Sequence, residues 1–212
     1  ASDHALIMML DSEIIKVDSE IVGQLFDDKW IGQWRKGKFS SEYGEYELNN
    51  SETSLIADWL NSHYELGAHC WLDNTSELCI KQAIFKDNIA NVDMSGAKLE
   101  TLQIASKFVP ELQQISSDTR LFFNVKGQWQ PDTFPIASAD GYLTPTKIKI
   151  EGRKQPINLT ELRFDMNADE QNASANLVLA TQQTGIIKLQ TNVAHPQTEK
   201  ILTGNLEINS FL

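Results

Sequence analysis

The sequence predicts an all-β fold carrying one short helix, and three observations support this. Apolar and polar residues alternate with period two along most of the chain. Clusters of Asn, Asp, Gly and Pro interrupt the alternation at short intervals, as hairpin-linked strands require. A single segment leaves period two for a helical stripe. Over 212 residues, 41% hydrophobic and 22% charged describe a globular chain, far from the composition of disorder. No apolar run reaches the roughly 20 residues of a membrane-spanning helix.

The first half is the less regular. Ala5-Leu6-Ile7-Met8-Met9-Leu10, Ile14-Ile15-Lys16-Val17 and Ile21-Val22-Gly23-Gln24-Leu25 are short apolar runs split by charged residues. Asp27-Asp28-Lys29 is expected to turn the chain into Trp30-Ile31-Gly32-Gln33-Trp34, with Trp30 and Trp34 on one face. Phe39, Tyr43, Tyr46 and Leu48 continue the pattern. Further on, Leu102, Ala105, Phe108 and Val109 fall on one helical stripe, and Pro110 cannot continue it. Leu102 and Phe108 are therefore expected to face the apolar side of the sheet.

The last third is the clearest. Leu162, Phe164, Met166 and Ala168 alternate with Arg163, Asp165 and Asn167, and the turn-like Asp169-Glu170-Gln171-Asn172 follows. Ala173, Ala175, Leu177 and Leu179 form the next apolar phase, then Ile187, Leu189, Thr191 and Val193, then Leu202, Gly204, Leu206 and Ile208. Such alternation marks antiparallel strands with one apolar and one wet face. Neighbouring strands must match phase to bury anything. Leu162, Phe164, Met166, Leu177, Leu179, Ile187, Leu189, Leu206 and Ile208 should accordingly share one face. Turn signals give about 13–16 strands in all.

Cys70 and Cys79 flank Trp71-Leu72-Asp73-Asn74-Thr75-Ser76-Glu77-Leu78. A hairpin centred on Asn74-Thr75 sets the two cysteines opposite each other in a non-hydrogen-bonded pair, where strands approach most closely. That spacing is within disulfide range, and a disulfide implies an oxidising compartment such as a periplasm. Two buried thiols, or a metal, are the alternatives. No CxxC pair with zinc-ligand spacing is present.

With 18 basic and 29 acidic residues the net charge is 18 − 29 = −11, the wrong sign for a nucleic-acid footprint. The acids are scattered, as on solvated strand faces. His63 and His69 are six apart, the right parity for one strand face. No phosphate loop, HExxH or GxSxG motif occurs, and Asp27-Asp28 and Asp169-Glu170 look like turn carboxylates. Neither an enzyme nor a cofactor is expected. The chain ends inside an apparent strand and begins without an initiator Met or signal segment, so a fragment of a longer protein is expected.

The order of Gly32-Gln33-Trp34-Arg35-Lys36-Gly37-Lys38-Phe39, the His69-Cys70-Trp71 stretch leading to Cys79, and the helix running into Val109-Pro110-Glu111-Leu112 resembles the TamB family of AsmA-like bacterial envelope proteins. Gly127-Gln128-Trp129 and Leu202-Thr203-Gly204-Asn205-Leu206 fit the family's recurring strand units, whereas Tyr46 stands where Trp is expected. The resemblance implies a long curled antiparallel sheet forming an open, taco-like apolar groove. It implies a single elongated periplasmic piece over residues 1–212, with a soft boundary near 99–112. The parent protein would be anchored in the inner membrane of a Gram-negative bacterium and would meet an outer-membrane barrel partner, TamA, both through regions outside this fragment. The implied function is phospholipid transfer toward the outer membrane, with a role in outer-membrane protein assembly. The eleven apolar residues named above, Leu102 and Phe108 included, would line the groove against acyl chains. The competing reading is a closed β-sandwich, a structural or binding module with the same residues as a dry core.

Overall fold

The structure is a computed structural model that describes residues 2–11, 15–41, 44–49, 52–100, 115–152, 154–194 and 201–210. Among the described residues every regular element is a strand, and no helix occurs. The segment expected to be helical, with Leu102 and Phe108, lies outside the described residues. The chain divides into two units, residues 1–95 with 126–132 and residues 96–125 with 133–212.

In the first unit, β1 (Ser2–Asp11) and β2 (Ile15–Leu25) form an antiparallel hairpin. β3 (Lys29–Ser41) pairs with β2 along its whole length. The other edge of β3 meets two short strands, β4 (Gly44–Leu48) beside Lys38–Ser41 and β5 (Thr53–Asp58) beside Lys29–Trp34. β6 (His63–Leu66) pairs with β5 and β7 (His69–Leu72) with β4, and both pair with β8 (Glu77–Lys86). β9 (Ile89–Leu99) follows the two-residue turn Asp87-Asn88, both at positive φ, as a type I′ turn requires.

A crease crosses these strands. Glu20 pairs with Lys36 but Ile21 pairs with Trp34, so Arg35 is an extra residue, a β-bulge. An odd insertion reverses the phase of everything beyond it. Trp30, Gly32 and Trp34 therefore share a face with Gly37 and Phe39. The same reversal recurs between Leu48 and Thr53, between Leu66 and His69, and between Ile80 and Ala83. The apolar face thus stays continuous while its sequence period breaks, which is why the first half looks irregular. The two histidines are a correction. His63 pairs with Asp58 and His69 with Ile80, and the break at Gly67-Ala68 sends them to opposite faces.

The second unit contains β10 (Ile115–Ser116), the Leu121–Val125 part of β11 (Leu121–Trp129), β12 (Ile136–Leu143), β13 (Thr146–Ile150), β14 (Ile157–Ala168), β15 (Asn172–Thr181), β16 (Gly185–Ala194) and β17 (Ile201–Asn209). β14 pairs with β13 through Ile157–Leu159 and with β12 through Leu162–Ala168. β15, β16 and β17 continue as an antiparallel meander. Thr160 is the bulge here, between the pairs Leu159–Thr181 and Glu161–Ala180. Among the described residues, counting β4 with β5, β6 with β7 and β12 with β13 as single interrupted strands reduces the 17 strands to 17 − 3 = 14.

Candidate functional site: the apolar faces

In the second unit the register aligns the apolar residues in rows that cross the strands. One row is Leu143, Leu162, Leu179, Ile187 and Ile208; the next is Gly141, Phe164, Leu177, Leu189 and Leu206. Met166 begins a third row with Ala175, Thr191 and Gly204. All nine described residues singled out in 162–208 are thus brought to one face. Gly141 matters for shape, since the Phe164 ring occupies the space a side chain would fill. The face meets solvent: Leu177 is 37% exposed, and exposure rises to 61% at Ile208 on β17. Along β12 and β14–β17, Leu159 and Ala180 are the buried apolar residues.

The corresponding face of the first unit is aromatic and folds onto itself at the crease. Trp34 lies 5.2 Å from Trp71, edge to face, and 5.7 Å from His69, within the range where such pairs attract. The Trp71 ring covers Gly37, where any side chain would collide with it. Polar groups buried there are satisfied. The Trp34 indole Nε1 donates to Ser19 Oγ at 2.6 Å, and His69 Nδ1 lies 2.8 Å from the Gly67 carbonyl. Ser19, Thr53 and His69 are buried at this line. Aromatic rings and buried, hydrogen-bonded polar groups thus pack the crease.

Cys70 and Cys79 occupy the opposite face of the same strands. They are register partners, and they form a disulfide with Cα atoms 4.0 Å apart. The turn is as tight as the sequence implied: Asp73 N–H donates to the Ser76 carbonyl, and Asp73 Oδ1 accepts from the Thr75 and Ser76 amides. Glu77 Oε1 lies 3.3 Å from Cys79 Sγ. These three residues alone among those described group as metal ligands would, but the disulfide uses both thiols, and zinc requires thiolates. The face around them is charged, with Lys36 paired to Glu20 and Lys38 to Glu45 and Glu47. The Glu45 contact, with a smaller part from Glu47, holds the Lys38 ammonium above its usual range.

Leu159, Leu143 and Ala139 belong to the apolar face but escape the period-two pattern that begins at Leu162. The bulge at Thr160 puts Leu159 in the opposite sequence phase. Leu143 and Ala139 sit on an interrupted strand whose alternation is too short to stand out. An apolar residue three positions before a regular run is the signal that such a bulge leaves.

These features define a class: antiparallel β-sheet proteins in which each unit gathers its apolar residues on one face of its strands. The TamB N-terminal domain family matches residues 1–212, and the chain belongs to it. Among curated proteins, it is similar to the translocation and assembly module subunit TamB of Haemophilus influenzae, 26% identical over 185 residues. The alignment covers 84% of this chain and 13% of the relative, so the chain spans a small part of that protein's length. No solved structure matches the chain.

Proposed function

We propose that this chain is a periplasmic fragment of a non-catalytic envelope subunit, and that its apolar face shields phospholipid acyl chains from water as they pass between membranes. The observation that carries the proposal is the set of apolar rows aligned across β12 and β14–β17 and left partly open to solvent. Each CH₂ group shielded there gains about 0.8 kcal/mol. Apolar contact is non-directional, so a tail can move from Leu177 to Leu189 to Leu206 without fixed intermediates. A closed sandwich would bury many Leu, Ile and Val residues fully, whereas along β12 and β14–β17 the buried apolar residues are Leu159 and Ala180. The relative is, by its name, a subunit of a translocation and assembly module. We assign this chain the same setting, with outer-membrane protein assembly as the module's task. Contact with the barrel partner TamA and anchoring in the inner membrane fall to other parts of the subunit.

The test is site-specific photo-crosslinking in cells. A crosslinker at Leu189 is expected to capture lipid, and one at Lys188, on the reverse face, is not. Lipid adducts from Lys188 alone would overturn the assignment.

A further inference from the structure

The reverse face of the second unit holds two polar rows that cross its strands. Asp140, Asp165, Asn176 and Gln190 stand in one row across β12, β14, β15 and β16, and Tyr142, Arg163, Val178 and Lys188 form the next. At about 4.8 Å per strand each row runs about 14 Å, and the rows are about 7 Å apart. A depression of about 840 Å³ lies over them.

The polar groups in it are held in place before any ligand arrives. Asn176 Nδ2 donates to Asp165 Oδ1 at 2.9 Å, and Asn124 Nδ2 donates to Asp140 Oδ2 at 3.1 Å. Both cations are already paired, Arg163 with Glu161 at 3.1 Å and Lys188 with Glu207 at 3.4 Å. At one end Tyr142 stacks on Phe122, centroids 4.9 Å apart and planes within 3°, yet remains 49% exposed. Its outer ring face is a flat apolar platform beside a floor of fixed donors and acceptors.

We infer that this depression binds a linear neutral glycan, laid across the strands. A sugar ring offers a C–H face for the Tyr142 platform and equatorial polar groups for the rows beside it, and the strand spacing accommodates about three rings in succession. Asp140 and Asp165 accept hydrogen bonds only, which favours a ligand rich in donors such as hydroxyl and acetamido N–H. Anionic polymers meet the carboxylates of Asp140 and Asp165, while the cations named here, Arg163 and Lys188, are engaged by Glu161 and Glu207. A proline-rich peptide docks between several aromatic ridges, and this floor has one platform.

The experiment uses the whole chain with chitotetraose as probe, followed by calorimetry or ligand-observed NMR, and a proline-rich decapeptide in parallel. Chitotetraose is expected to bind, Tyr142→Ala to weaken it at least tenfold, and Tyr142→Phe to restore it to within about threefold, since the platform survives. Gln190→Ala, a change on an exposed side chain, is expected to weaken it severalfold. Leu177→Arg, on the apolar face, is expected to leave glycan binding unchanged, which separates this site from the acyl-chain face. Absence of binding at millimolar chitotetraose, binding indifferent to Tyr142→Ala, or capture of the peptide in place of the glycan would each overturn the inference.

Discussion

The two units bend their sheets with the same backbone device and fill the bend differently. In each, a long strand carries one extra residue, Arg35 in β3 or Thr160 in β14, and the facing strand is broken in two. The first unit packs its bend with Trp34, Trp71 and a buried His69, and adds a disulfide on the reverse face. The second buries Leu159 and Thr181 at the bend on its apolar face and Ala180 on the reverse face, and leaves the rows beyond them partly open. A bulge therefore sets curvature, while the side chains set rigidity. The first unit is built to hold a shape, and the second presents a surface.

The largest expected effect follows from that contrast. Trp34→Ala removes the ring that Trp71 and His69 pack on and leaves Ser19 Oγ without its indole donor. A loss of about 3–5 kcal/mol is expected, typical of large aromatic deletions. Thermal unfolding followed by near-ultraviolet circular dichroism checks it. A change below about 1 kcal/mol would mean that the crease is not a packed core.

Next comes the disulfide. Replacing both Cys70 and Cys79 by Ala frees a loop closed across nine residues of separation, worth about 2.7 kcal/mol on the chain-entropy account. The midpoint of denaturant unfolding should fall accordingly, with lipid crosslinking from Leu189 retained because the two cysteines sit on the charged face of the other unit. In oxidised protein, alkylation without reductant should label neither cysteine.

That pairing was legible in the sequence because a tight turn fixes register locally: once Asp73 and Ser76 pair, Cys70 must meet Cys79. The strands from Leu162 onward were legible for a related reason, since no insertion breaks their phase after Thr160. The crease was not. Period-two counting cannot anticipate an odd insertion, so Leu159 escaped the pattern and His63 and His69 were placed together although the chain separates them. Nor does alternation reveal what lies over a face. The stack of Tyr142 on Phe122 joins residues 20 apart in sequence, whose contact depends on the pairing of strands.

A smaller effect is expected for Leu177→Arg, the counterpart of Trp34→Ala in the other unit. Leu177 is 37% exposed, so an Arg stem can lie along the apolar row while its head reaches water. The cost should stay below about 1 kcal/mol, against several for a charge in a dry core. Far-ultraviolet circular dichroism should remain that of a folded sheet while acyl-chain capture from Leu189 falls. Global unfolding would instead identify the face as a closed core and remove the contrast between the units.

The smallest effect concerns two turns that use a carboxylate alike. Asp169 Oδ1 accepts the Gln171 and Asn172 amides, both at 2.8 Å, and these bonds hold its carboxyl below the usual range. In the first unit the Asn61 side chain and amide do the same for Asp58, helped by the nearby Lys29 and His63 charges. A lowered folded-state value contributes stability above the unfolded carboxyl pKa, and the contribution is lost as pH falls through the folded value. Both turns should therefore loosen only in acid, below the ordinary value of 3.8. Amide protection factors at Asn172 and Asn61 follow the two turns separately and divide out the intrinsic pH dependence of exchange. Asp169→Asn keeps an acceptor oxygen and should abolish the acid step at Asn172 while leaving the one at Asn61. Added salt distinguishes them further: the Asp58 turn draws on Lys29 and should shift its acid midpoint upward as that attraction is screened, whereas the Asp169 turn, held by backbone amides, should shift less. Equal shifts would show that the two turns are held by the same long-range field, contrary to the local hydrogen bonds that distinguish them.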